Sequence, residues 1–312
     1  MNEQPDSTDP TDLRRPDRQS TVAVEGAELA VFEWGDPAAE PLVLVHGVTD
    51  THRVWTRVAA LLSDGFRVVT YDVRGHGRSA KPAALPDYRL ERLAADFYAV
   101  IDTVSPRSPV HVCGHGWGAV QVWEAVCDPQ ANTRIASFTA ISGPNLDHVG
   151  ILLRDISSPS RHLRRLATDP AWMLCGAESA PAAVQRIAYP PRVRSWLIER
   201  LGGVPRVYAP IAATWHTDLL AGTRIVRANL LRHLLRPRDR HTAVPVQLVV
   251  DTTDVFVPPF LYDSSAPWVD RLWRCAIPAD HWLPVTEPLL VAEAIANFVE
   301  DLHAADATIP RR

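Results

Sequence analysis

Residues 110–118 read Val110-His111-Val112-Cys113-Gly114-His115-Gly116-Trp117-Gly118. A short apolar run ends in three alternate glycines, and a helical pattern follows. Glycine takes up a left-handed backbone without steric cost and lets chain segments approach closely. The stretch predicts a sharp strand-to-helix turn with small residues on either side of a central position, Gly116. A glycine-rich turn of another doubly wound protein, such as a phosphate-binding loop, is the alternative. Companion motifs decide between the two.

Strand-length apolar runs recur along the chain. They are Val22–Val24, Leu29–Phe32, Leu42–Val45, Arg67–Tyr71, Ile135–Ile141, Val246–Val250 and Leu272–Cys275. Helical patterns over Val54–Leu62, Leu90–Val104, Trp117–Cys127 and Val285–Leu302 fall between or after them. Alternating strands and helices predict an α/β fold with a mostly parallel sheet covered on both faces. From residue 144 to 242 the pattern changes. The stretch is Arg-, Ala- and Leu-rich and is broken by Pro170, Pro181, Pro190, Pro191, Pro205 and Pro210. It predicts an inserted helical cap, with core segments at 21–143 and 243–306. Residues 1–20 are rich in Asp, Pro, Arg and Thr and are expected to be a disordered tail.

Composition narrows the function classes. The 312 residues are 46% hydrophobic, enough for a sizeable core. A net charge of −4 gives no electrostatic footprint for nucleic acid or an anionic membrane. No apolar run approaches the roughly 18 residues a membrane span needs. The N-terminal stretch lacks the apolar segment of a secretion signal. Cys113, Cys127, Cys175 and Cys275 lack metal or disulfide-framework spacing, so reduced thiols in a cytoplasmic protein are expected. No cofactor and no metal are expected, and the partner should be a small-molecule substrate. Oligomeric state is not written in these features.

Three further motifs stand in order around the glycine turn. His46-Gly47 follows the third strand. Asp72-Val73-Arg74-Gly75-His76-Gly77-Arg78-Ser79 follows the fourth. An acid and a histidine come late, in Asp251-Thr252-Thr253-Asp254 and Ala279-Asp280-His281-Trp282. With Gly114-His115-x-Trp117-Gly118, this ordered set resembles the α/β-hydrolase superfamily, most closely its epoxide hydrolase branch. That branch shares its turn style with haloalkane dehalogenases. The resemblance covers about Thr21 to Asp306. Phe138–Pro144 also resembles hydrolase domains that some actinobacterial proteins fuse to a short-chain dehydrogenase.

The resemblance assigns roles. The turn is a nucleophile elbow, whose central residue is normally Asp, Ser or Cys. Here that position is Gly116, which removes the attacking atom. His281 is the expected base and Asp254 the expected acid that orients it, with Asp251 as a competitor. Backbone amides of Val48 and Trp117 are expected to form an oxyanion hole, which needs no particular side chain. Trp117 either lines the pocket or packs in the core. Trp282 is expected to contact substrate. Epoxide hydrolases also place two cap tyrosines on the epoxide oxygen. The matching positions here are Val226, in Thr223–Asn229, and Trp172, with Tyr208 nearby as a substitute. His46, His76 and His115 are expected to support the backbone, and Cys113 to pack in its strand.

Three functions fit this set. The chain acts on or binds a mostly apolar small molecule without forming a covalent intermediate. Alternatively, its His–Asp pair performs general acid–base chemistry such as water-mediated hydrolysis, elimination, isomerisation or cyclisation. In the third reading it is an inactive binding or interaction module.

Overall fold

The computed structural model describes residues 14–154, 199, 213–254 and 256–307. One sheet contains β1 (Arg18–Val24), β2 (Ala27–Trp34), β3 (Glu40–Val45), β4 (Phe66–Tyr71), β5 (Val110–His115), β6 (Ile135–Ile141), β7 (Val246–Asp251) and β8 (Leu272–Ile277). Their spatial order is β1-β2-β4-β3-β5-β6-β7-β8. β2 runs antiparallel to β1 and β4, and every other pairing is parallel.

The helices are α1 (Thr56–Leu62), α2 (Leu90–Val104), α3 (Trp117–Val126), α4 (Ala131–Arg134), α5 (Leu146–Arg154), α6 (Trp215–Leu235), α7 (Leu283–Thr286) and α8 (Pro288–Ala307). They cover both sheet faces. Val43 and Val45 turn into one core cluster with residues of α2 and α3. Leu42 and Leu44 turn into the other, with residues of α1 and α8. That two-residue alternation is the strand period, and it explains the continuous apolar runs of a sheet buried on both faces. Every residue of β5 and β7 is buried.

The N-terminus needs a correction. Residues 14–20 are not part of a disordered tail. Arg18 pairs with Glu33 and Ser20 with Val31 in the β1–β2 ladder. Arg14 Nη1 donates to Ser63 Oγ at 2.7 Å. The polar composition misleads because β1 is an edge strand in which only Val22 is buried.

Of the expected cap, α5 and α6 are described. α6 is fixed to the core by buried polar groups. Asn229 Oδ1 accepts from the Leu90 amide at 2.9 Å, and its Nδ2 donates to Tyr88 O at 2.8 Å. Asp218 accepts from the Gly77 amide at 3.1 Å and from Lys81 Nζ at 2.9 Å. Trp172 and Tyr208 lie outside the described residues. Among the described residues, no helix is long and apolar enough to cross a membrane.

The chain passes from β3 outward to β4, then returns to place β5 on the other side of β3. Loops leaving β3 and β5 therefore diverge, and a crevice opens at the carboxyl ends of these strands, as it does at switch points of α/β sheets. The glycine turn and His46-Gly47 both stand at that crevice.

Candidate active site

Gly116 caps α3 with φ +55° and ψ −125°. Its amide donates to Ile141 O at 2.9 Å, tying the turn to the end of β6. The flanking glycines are required by space. A Cβ on Gly118 would meet Val45 O at 2.2 Å, and one on Gly114 would meet Ala119 Cα at 2.6 Å. Gly116 differs. A Cβ there would have His281 Nε2 as its nearest neighbour, at 3.6 Å. The turn thus has the backbone and packing of an elbow, with open space over its central residue.

His281 stands on the loop after β8. Its Nδ1 donates to Asp254 Oδ2 at 2.9 Å. The other oxygen of Asp254 accepts from the amides of Phe256 at 2.6 Å and Val257 at 3.1 Å. Burial acts to raise the Asp254 carboxyl, but His281 and these donors outweigh it and hold it below the ordinary value. Burial also acts to lower His281. The Asp254 charge and hydrogen bond overcome that and hold the imidazole above the ordinary histidine value, with help from Asp251 and Asp50.

Asp251 makes a different set of contacts. It ends β7, and its Oδ2 bonds to the Ser142 hydroxyl. Burial, reinforced by the Asp254 charge, pushes its carboxyl up to about 7. Of the two acids, Asp254 is the one hydrogen-bonded to His281.

Three other histidines hold the loops. A carbonyl can only accept, so His115 Nε2 donates to His281 O, at 2.7 Å. Burial pushes His115 down to about 3, so its ring is neutral. His46 Nδ1 donates to Gly47 O at 2.8 Å, and its Nε2 accepts from the Val73 amide at 2.9 Å. His76 Nε2 accepts from the Thr49 amide at 3.3 Å. These rings act as struts for the loops carrying Val48 and His281.

The site opens onto a cavity of about 120 Å³. Val48, Gly116, Trp117, His281 and Trp282 line it. Among the described residues, no acceptor is found for the amide of Val48 or Trp117. Trp282 packs edge-on to His281 and to Phe256, with ring centroids 5.1 and 5.5 Å apart. Val226 is a correction. It is 1% exposed and packs within the core cluster. Leu230, one turn further along α6, lines the cavity instead.

Sequence reasoning missed Thr49, Asp50, Ser142 and Phe256 as cavity residues. Thr49 and Ser142 have φ of +66° and +49°, conformations that non-glycine residues rarely adopt. With Gly116, three left-handed positions meet at one cavity. A β-branched Thr and an ordinary Ser carry no sequence signal for that backbone.

The sequence profile of the alpha/beta hydrolase fold family matches residues 40–174. The probable oxidoreductase EphD of Mycobacterium tuberculosis is 36% identical over 298 residues, which is 92% of this chain and 50% of that protein. This chain therefore spans about half the length of that relative. Epoxide hydrolase A of the same organism is 38% identical over 127 residues, covering 40% of this chain and 38% of the relative. The crystal structure of Bacillus megaterium epoxide hydrolase with an inhibitor superposes with a TM-score of 0.75 at 20% identity, over 90% of this chain and 100% of that one. The chain has the α/β-hydrolase fold, and its sequence is similar to epoxide hydrolase-like members of that superfamily.

Proposed function

We propose that this protein binds a mostly apolar small molecule over Gly116 and acts on it without a covalent intermediate, with His281 as general base. One observation carries this reading. His281 is held by Asp254 at 2.9 Å, while its Nε2 faces the space where a Cβ of residue 116 would stand, 3.6 Å away. The imidazole and the carboxylate stand as a base and its orienting acid would, and residue 116 carries no side chain to attack, which supports this reading. A water or a substrate group fits between Nε2 and the turn.

In this scheme, Nε2 takes a proton from that water or from the substrate. Asp254 keeps the ring in the tautomer with Nδ1 protonated and stabilises the imidazolium that forms. The amides of Val48 and Trp117 hold negative charge developing on a substrate oxygen. Trp117, Leu146, Leu230, Phe256 and Trp282 supply an apolar wall, which favours an apolar ligand. The fold relationship supports a ligand related to epoxides or esters. Trp172 and Tyr208, in the expected cap, remain proposed contacts to it.

The test uses intact mass and turnover together. Protein is incubated with a reactive epoxide or a p-nitrophenyl ester. No stoichiometric adduct should appear on the peptide containing Gly116, and any turnover should fall about 10²–10⁴-fold in His281→Ala. An adduct on that peptide would sink the non-covalent reading. Ligand binding with turnover unchanged in His281→Ala would favour a binding module.

A further inference from the structure

At the opposite end of the sheet, three side chains from three elements converge. Glu40 opens β3, His111 is the second residue of β5, and His303 lies in the last turns of α8. Glu40 Oε1 stands 2.9 Å from His111 Nε2 and 3.2 Å from His303 Nε2. One donor atom from each residue lies within 4.8 Å of the other two. Ligands about 2.0–2.2 Å from a tetrahedral ion stand roughly 3.2–3.6 Å from one another. The two separations from Glu40 are close to that figure, and the two imidazole nitrogens lie within 4.8 Å of each other, within reach of one ion after side-chain adjustment.

The setting of His111 adds a second, independent feature. Its side chain is 4% exposed, and its remaining ring nitrogen, Nδ1, is 2.7 Å from Ser137 Oγ. Metal-bound histidines are typically anchored in this way, with one nitrogen hydrogen-bonded and the other presented to the ion. With Ser137 Oγ accepting from Nδ1, Nε2 offers its lone pair to an ion that also takes the Glu40 carboxylate. Glu40 and His303 are 38% and 58% exposed. An ion can therefore reach the cluster from solvent and complete its coordination with water.

We propose that Glu40, His111 and His303 bind one divalent transition-metal ion, of the zinc type, that clamps β3 and β5 to α8. Two imidazoles and one carboxylate suit a borderline ion, whereas magnesium and calcium select oxygen donors. The clamp joins residues 263 positions apart in sequence. It lies about 15–20 Å from the crevice, given roughly 3.3 Å of rise per residue along β3 and β5. Its role is structural. An ion that binds only the folded chain raises stability by mass action.

The experiment uses the full chain, freed of any affinity tag and stripped with a chelator. Zn²⁺ is titrated by calorimetry, and the complex is weighed by native mass spectrometry. Co²⁺ serves as an optical probe of coordination. One Zn²⁺ per chain should bind, and Tm should rise on loading and fall back with chelator. Affinity should drop at least tenfold in His303→Ala and in Glu40→Gln. His303 is exposed and Glu40 half-buried, and circular dichroism checks the folding of both variants. The Co²⁺ complex should show visible bands of four- or five-coordination that His303→Ala weakens. Absence of stoichiometric binding overturns the proposal. So does equal affinity and equal thermal shift in the wild type and both variants, which would mean an adventitious ion at other histidines.

Discussion

A carbon placed at the Cβ position of Gly116 would stand 3.6 Å from Nε2 of His281, an ordinary van der Waals separation. Glycine at this point is therefore not forced by crowding. For a Cβ, the cost at this position is its φ of +55° rather than a clash. Gly118 is under the opposite constraint, since its added carbon would collide with Val45 O at 2.2 Å. Gly116→Ala should cost about 1–3 kcal/mol of stability. Gly118→Ala should cost more than about 4 kcal/mol or prevent folding. Denaturant titration of both variants checks the order. The reverse order would mean that the elbow is misdrawn.

Activity should follow the neutral form of His281. Asp254 holds the imidazole above its ordinary value. The base is thus protonated at low pH, and the rate should rise with pH through a midpoint above about 6.5. Asp254→Asn removes the charge that holds the proton, so the midpoint should move to lower pH. The plateau should fall as well, because the ring loses its tautomer and orientation. A midpoint unmoved by Asp254→Asn would separate the pH dependence from this pair.

Asp251 predicts a pH-dependent cost to stability. Burial raises its carboxyl from 3.8 in the unfolded chain to about 7. A group raised on folding contributes stability that is complete below the unfolded value and is lost as pH rises through the folded one. The wild type should therefore weaken between about pH 4 and 7. Asparagine does not titrate and keeps a partner for Ser142. Asp251→Asn should match the wild type near pH 4 and exceed it at pH 8, by an amount on the order of 2–4 kcal/mol. Parallel stability curves across that range would show that Asp251 ionises without penalty.

How far the sequence could be read depended on where each signal lay. Gly116, Asp254 and His281 sit in contiguous motifs tied to strand ends, so their order along the chain was enough to bring them together. Leu230 was not legible in this way. Val226 and Leu230 share a face of α6, and the choice between them depends on the seating of the helix. Asn229 sets that seating through bonds to Tyr88 and Leu90, 141 and 139 residues away. Asp251 was likewise ambiguous until its partner was known, since Ser142 lies 109 residues earlier. Arg18–Ser20 read as tail because a half-solvated edge strand has no apolar run. Thr49 and Ser142 hold backbone conformations that their residue types argue against.

Restoring a side chain at the elbow tests what kind of site this is. Gly116→Asp and Gly116→Ser each place an oxygen nucleophile beside His281, in space that the turn already provides. Both should pay the positive-φ cost of about 1–3 kcal/mol and still fold. An epoxide hydrolase site lacking one group would open simple epoxides as the Asp variant. An esterase-like site would hydrolyse short esters as the Ser variant, with a burst from acyl-enzyme. Epoxide opening should stay weak without a hydroxyl donor from α6. Tyrosine at Val226 would overpack the core, because that residue is 1% exposed. Leu230→Tyr is the better companion, since Leu230 faces the cavity. The double variant with Gly116→Asp should then exceed the single variant on epoxides. If all restored variants fold and stay inert on epoxides and esters, the cavity serves another chemistry. The non-hydrolytic reactions of the His281–Asp254 pair would then become the leading reading.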